Sequence, residues 1–188
     1  TIVIQVDNSY SNLPTNGVSA SHMATDETQT NWNGIVGEFK LQLREKVYID
    51  DLRVYPNEDL QSVKVEVDVR NASDEAYRGT LHLSCEDTEG QDVDVSVPAG
   101  ETVTFTVEDY AMPADVQLWS EFDTPLYQLT AALDKGGEVT ESFGMRAFRS
   151  EGTDFTINGD KVFLRSEANC AVFPLTGYAP MDEAGWEK

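Results

Sequence analysis

An all-β fold is predicted, on three observations. Residues 44–147 carry seven short runs in which apolar and polar residues alternate, the period of a half-buried strand. Clusters of Pro, Gly, Asn and Asp separate those runs at the spacing of turns. The composition is that of a packed chain, 40% hydrophobic and 10% aromatic over 188 residues. Together these predict an immunoglobulin-like antiparallel β-sandwich with flanking partial domains. The cysteine pair and core tryptophan spacing of antibody domains are missing, so the likeness is one of architecture.

Residues 1–43 read as part of another β unit. Ile2, Ile4 and Val6 share one face of an expected strand, and Asp7-Asn8 turns. A long polar loop from Ser9 to Thr30 follows, with Pro14, Gly17 and His22. Strand character resumes from Trp32 to Leu43, where Phe39, Leu41 and Leu43 alternate.

In residues 44–147, Val47 and Ile49 lead to Leu52 and Val54, and Pro56-Asn57 turns. Val63, Val65, Val67 and Val69 alternate with Lys64, Glu66, Asp68 and Arg70. Leu81, Leu83 and Cys85 form the next run, then Val93, Val95 and Val97, then Val103, Phe105 and Val107. Leu126–Leu133 and Val139–Phe143 complete the set around a turn at Asp134-Lys135-Gly136-Gly137.

Residues 148–188 differ. Asn158-Gly159 is the preferred pair for a tight type I′ hairpin, and Phe155, Ile157, Val162 and Leu164 flank it. Asp182 is placed to cap a helix, yet the chain stops about two turns in. The opposite end starts directly as a strand. Both ends lead to the expectation that the chain is an excerpt of a longer protein.

Charge narrows the partners. The formal net charge is −21, from 34 acidic and 13 basic residues. A nucleic-acid partner is met by a basic face, and an anionic membrane surface by basic clusters, so neither is expected. A solvated acidic exterior accounts for the charge, and a neutral carbohydrate partner is compatible with it. No run of about 18 apolar residues occurs. No segment has the pattern of a signal peptide, which in an excerpt says nothing of export. Cys85 fits a small buried strand residue, and Cys170 lies in another segment. They do not form a disulfide or metal pattern, and the compartment is left open.

The chemistry-bearing residues yield no complete active site. Most carboxylates fall at outward strand positions or in turns, and none is paired in an apolar pocket that would raise one pKa. His22 sits in the long loop, and His82 points outward between Leu81 and Leu83. Neither belongs to a nucleophile motif, and Cys170 has no evident base. No metal-ligand spacing and no phosphate-cradling glycine loop is visible, so no cofactor is expected. Trp32, Trp119, Tyr127 and Trp186 could stack on sugar rings, although packing in a core or interface is the commoner role of each.

Five segments in order resemble glycoside hydrolase family 2. TQTNWNGIVGEFKL resembles the end of its sugar-binding jelly-roll domain. LWSEFDTPLYQLTAAL is similar to a segment of its immunoglobulin-like domain, with Glu121 where the family commonly has proline. FGMRAF resembles the Phe-Gly-x-Arg exit from that domain. FTINGDKVFLRS resembles the hairpin and strand that open the catalytic barrel, and APMDEAGW the first barrel helix of β-galactosidases. The resemblance implies three parts: 1–43 from the jelly roll, 44–147 as the immunoglobulin-like sandwich, and 148–188 as the truncated entry of a TIM barrel. The parent would be a retaining β-glycosidase, most like a β-galactosidase; its compartment is left open, with a periplasmic or secreted setting as one option. Its two catalytic glutamates would sit on later barrel strands, so no residue here is assigned as catalytic.

The resemblance also implies sugar-binding candidates. Arg165 matches the family's Arg after the first barrel strand, with Ser166 where Gly is usual. Glu167, Asn169 and Cys170 occupy the stretch where β-galactosidases place a sugar-contacting His, which falls at Cys170. Thr30, Asn31 and Trp32 lie where a jelly-roll loop reaches the active site in some members, and the acidic residue expected before the aromatic is absent. The sandwich would then pack between its own sugar-binding and barrel domains. The alternative is a stand-alone carbohydrate-binding or adhesion module, which would need an exposed aromatic row on one face.

Overall fold

The structure, a computed structural model, describes residues 2–7, 35, 39–166, 180 and 182–186. The chain divides into two compact units, one of Leu43–Leu164 and one of Thr1–Gln42 with Arg165–Lys188. The first is built on β1 (Val47–Pro56), β2 (Ser62–Asn71), β3 (Tyr77–Cys85), β4 (Gln91–Val97), β5 (Thr102–Ala111), β6 (Tyr127–Leu133) and β7 (Glu138–Phe143). One sheet has the order β1-β2-β5 and the other β4-β3-β6-β7. Every pairing in them is antiparallel. Chain crossings after β2, β4 and β5 stitch the two layers into a sandwich, as the alternating runs predict.

The core lies between the layers. Val63, Val65, Val67 and Val69 of β2 are 0–1% exposed. They meet Leu81 and Leu83 of β3, Val95 and Val97 of β4, and Leu129 and Ala131 of β6. Each such valine or leucine contributes about 1.5–3 kcal/mol when fully buried. Cys85 is a buried free thiol among them, and burial pushes its pKa up. Two β-bulges set the strand faces. In β1 the register shifts between Ile49 and Asp51, so both Ile49 and Leu52 reach the core. In β5 it shifts opposite Val63 and Val65, which brings Tyr110 inward at 1% exposure. The outer strands of the four-stranded sheet carry exposed carboxylates, Asp92 and Asp94 on β4 and Glu138 and Glu141 on β7.

Beyond β7 a three-stranded meander follows: β8 (Phe148–Glu151), β9 (Asp154–Ile157) and β10 (Asp160–Val162). Asn158 and Gly159 both have positive φ, 55° and 87°, the geometry of the expected I′ turn. In the second unit Asp182 caps a single turn, α1 (Glu183–Trp186), by accepting the Gly185 N–H at 2.8 Å.

The described parts of two expected strands are not in strand conformation. Residues 2–7 are described and lie outside any strand, with Ile2 at 74% and Val3 at 85% exposure. Residues 39–43 are likewise unpaired, with Leu41 and Leu43 at 82% and 93%. Alternation marks a segment able to be half-buried. A strand also needs a neighbour for its backbone N–H and C=O groups, and no described strand pairs with either segment. The loop 9–30 lies outside the described residues.

Candidate functional site

The sequence-predicted sugar contacts are largely beyond view. Arg165 follows β10 and is exposed. Asn31, Trp32, Asn169 and Cys170 lie outside the described residues, as do Thr30, Glu167 and His22. The structure therefore brings none of these together among the described residues.

The described aromatics are engaged locally. The Trp119 indole lies on Gly144, where an added Cβ would sit 2.8 Å from its Cδ1, and Arg146 covers the ring at 4.6 Å. Tyr127 packs on Phe143, and its hydroxyl accepts the Gln117 N–H at 2.7 Å. Trp186 is 56% exposed, with Nε1 donating to the Pro180 carbonyl at 3.0 Å.

Asn158 is the residue that sequence reasoning read only as a turn former. Its backbone N–H donates to the Ala147 carbonyl at 2.9 Å, and its Oδ1 accepts the Ala147 N–H at 2.9 Å. Its Nδ2 donates to the Trp119 carbonyl at 2.9 Å. Trp119 in turn donates its N–H to Met145 at 2.8 Å. One carboxamide thus ties the meander, the β7 exit and the loop before β6 into one junction. The Asn-Gly pair signalled the turn, but nothing in the sequence placed Trp119 beside it.

Two charged clusters lie on the outer sheet faces. His82 Nδ1 meets Asp92 Oδ1 at 2.7 Å, and its Nε2 meets Asp134 Oδ1 at 2.8 Å. Hydrogen bonds to Asp134 and then Asp92 raise its pKa, and the same bond holds Asp134 below the usual carboxylate range. With both ring nitrogens occupied, the imidazole has no lone pair for a substrate proton, so it is a clamp and not a base. On the other sheet Arg53 pairs with Asp68 at 2.8 Å, with Asp51, and with Glu66 at 3.2 Å. These partners raise its pKa, and the Arg53 bond lowers that of Asp68. Lys64 adds a contact to Glu66 at 2.7 Å. With two cations against three carboxylates the cluster keeps one net negative charge and presents no open cation.

An open cleft of about 730 Å³ is lined by Glu45, Lys46, Val47, Tyr77 and Lys135-Gly136-Gly137. Burial of the Tyr77 hydroxyl raises its pKa, and Asp134 adds to the rise. No nucleophile and base meet there. Among the described residues no group of three or more His, Cys, Asp or Glu is arranged to hold a metal, and no helix is long and apolar enough to cross a membrane.

Comparison with known proteins bears on this arrangement. The model of the family "Glycosyl hydrolases family 2" matches residues 47–146, from the first residue of β1 to the Arg146 that covers Trp119. That is just over half of the 188 residues. A family 2 β-galacturonidase from Eisenbergiella tayi bound to galacturonate aligns with TM-score 0.60 and 20% identity, over 75% of this chain and 26% of that one. A β-glucuronidase of the same family aligns with TM-score 0.54 and 20% identity, over 64% and 15%. An exo-chitosanase from Amycolatopsis orientalis aligns with TM-score 0.52 and 21% identity, over 63% and 16%. At these identities the likeness establishes the fold. The chain spans about a quarter or less of the length of those structures. No curated protein matches it.

Proposed function

Because the chain belongs to the glycosyl hydrolases family 2, we propose that it is the non-catalytic middle of a retaining β-glycosidase, galactosidase-like in its motifs. In this reading 44–147 is a spacer sandwich. It holds a sugar-binding domain, whose end is 1–43, against a catalytic barrel that begins in 148–188. Two barrel carboxylates elsewhere in the protein form and hydrolyse the covalent glycosyl-enzyme. Arg165, Asn169, Cys170, Asn31 and Trp32 are the residues of this chain proposed to face the sugar. The substrate is a carbohydrate, and the acidic surface, with its net charge of −21, suits neither nucleic acid nor an anionic membrane.

The observation that carries this reading is the family match over Val47–Arg146. Support comes from a sandwich whose described polar clusters are saturated among themselves, as suits a structural part. The purified chain should not turn over nitrophenyl β-galactoside, β-glucuronide, β-galacturonide or β-glucosaminide. Release of nitrophenol above a blank overturns the non-catalytic assignment. For a protein carrying this chain with its barrel, the galactoside should be the fastest of the four. A preference for either uronide or the glucosaminide replaces the galactosidase-like specificity and leaves the spacer role standing.

A further inference from the structure

The Asn158 junction is built from a carboxamide in the sequence setting where a carboxamide is least durable. Gly159 has no side chain to shield its backbone nitrogen. That nitrogen can attack Asn158 Cγ: a C–N bond forms, the Cγ–Nδ2 bond breaks, and ammonia leaves with the Gly159 amide proton. The product is a five-membered succinimide. Water then opens one of its two carbonyl–nitrogen bonds, leaving aspartate or isoaspartate. The step needs water and no oxidant, metal or second protein.

In the closed junction both ends of the carboxamide are held away from that path. Oδ1 accepts the Ala147 N–H and Nδ2 donates to the Trp119 carbonyl, each at 2.9 Å. Asn158 is part-buried, and its backbone is fixed at φ 55° by the turn. Swinging Cγ onto the Gly159 nitrogen breaks both side-chain bonds. The chemistry is therefore reached through an opened turn.

The products cannot rebuild the junction. Aspartate has no N–H for the Trp119 carbonyl, so an anionic oxygen faces a carbonyl oxygen across the former 2.9 Å bond. Isoaspartate lengthens the backbone by one carbon within a two-residue loop closed by the Ile157↔Asp160 pair. We propose that Asn158 is a self-modification site. Deamidation at Asn158-Gly159, suppressed while the junction is closed, irreversibly releases the β8–β10 meander from the sandwich.

Incubation of the intact chain in mildly alkaline buffer tests this. Peptide mass spectrometry reads the gain of about one dalton at Asn158, and heavy-oxygen water marks the hydrolysed succinimide. The folded chain should deamidate at Asn158 about tenfold or more slowly than the same chain in denaturant. Equal rates in the two states overturn the proposal. Asn158→Asp supplies the product without waiting for it. Amides of residues 147–162 should exchange with solvent about tenfold faster in that variant while those of β1–β7 keep their protection. Unchanged exchange at 147–162 overturns the release. Should Asn158→Asp not fold, the aged wild-type chain serves instead: its deamidated fraction, separated by charge, should show the same local loss, and native exchange there overturns the release equally.

Discussion

At the scale of single residues, the polar side chains that matter most are those with every group committed. Asn71 is 0% exposed, and its Nδ2 donates to the Glu75 carbonyl at 2.8 Å and the Val97 carbonyl at 3.0 Å. Its Oδ1 accepts the Ser73 N–H and hydroxyl. Asn71→Ala leaves two carbonyls without donors and should cost about 2–4 kcal/mol, measured by denaturant unfolding. Leu129→Ala removes a fully buried β6 side chain and should cost about 2–5 kcal/mol on the same measurement. His82 makes stability depend on pH with a definite sign. Its folded pKa is raised from 6.5 by Asp134 and Asp92, so the clamp's contribution is complete below the unfolded value. It is lost as pH rises through the raised folded value. His82→Gln should therefore narrow its stability gap to wild type as pH climbs from about 6 to 9, and a gap that widens contradicts the clamp.

At the scale of elements, the seven sandwich strands are legible because each buries one face against a partner that the pattern implies. Even the bulges leave a trace. In β1 the apolar positions change parity from Val47 and Ile49 to Leu52 and Val54, and in β5 from Val107 to Tyr110. The I′ turn and the Asp182 cap are legible too, since each is decided within four residues. Ile2–Val6 and Phe39–Leu43 show the limit: alternation states what a strand could bury and not whether a neighbour is there to pair with it. Trp119 and Gly144 show a second limit. They are 25 positions apart (144 − 119), and the close approach of the loop to the β7 exit is a tertiary fact. Gly144→Ala would place a Cβ 2.8 Å from the indole. The variant should shift tryptophan emission and destabilise the sandwich by about 1–3 kcal/mol. Unaltered emission with unaltered stability would show that the indole has room to give.

At the scale of the whole molecule, charge dominates. A net charge of −21 makes the folded chain repel itself more than its extended form does. Added sodium chloride at neutral pH should raise the unfolding temperature by a few degrees, since about 1 kcal/mol moves a domain of this size by about 2–4 °C. Part of that charge has a local task. The exposed carboxylates of β4 and β7 stand along both rims of the four-stranded sheet, where unpaired backbone groups would otherwise welcome another ribbon. Two molecules approaching rim to rim bring anion against anion before any ladder can start. Replacing Asp94 with threonine, a residue that any strand accepts, should leave each molecule and its His82 clamp sound and make the population gregarious, stacking into cross-β fibres at concentrations where the parent stays dispersed.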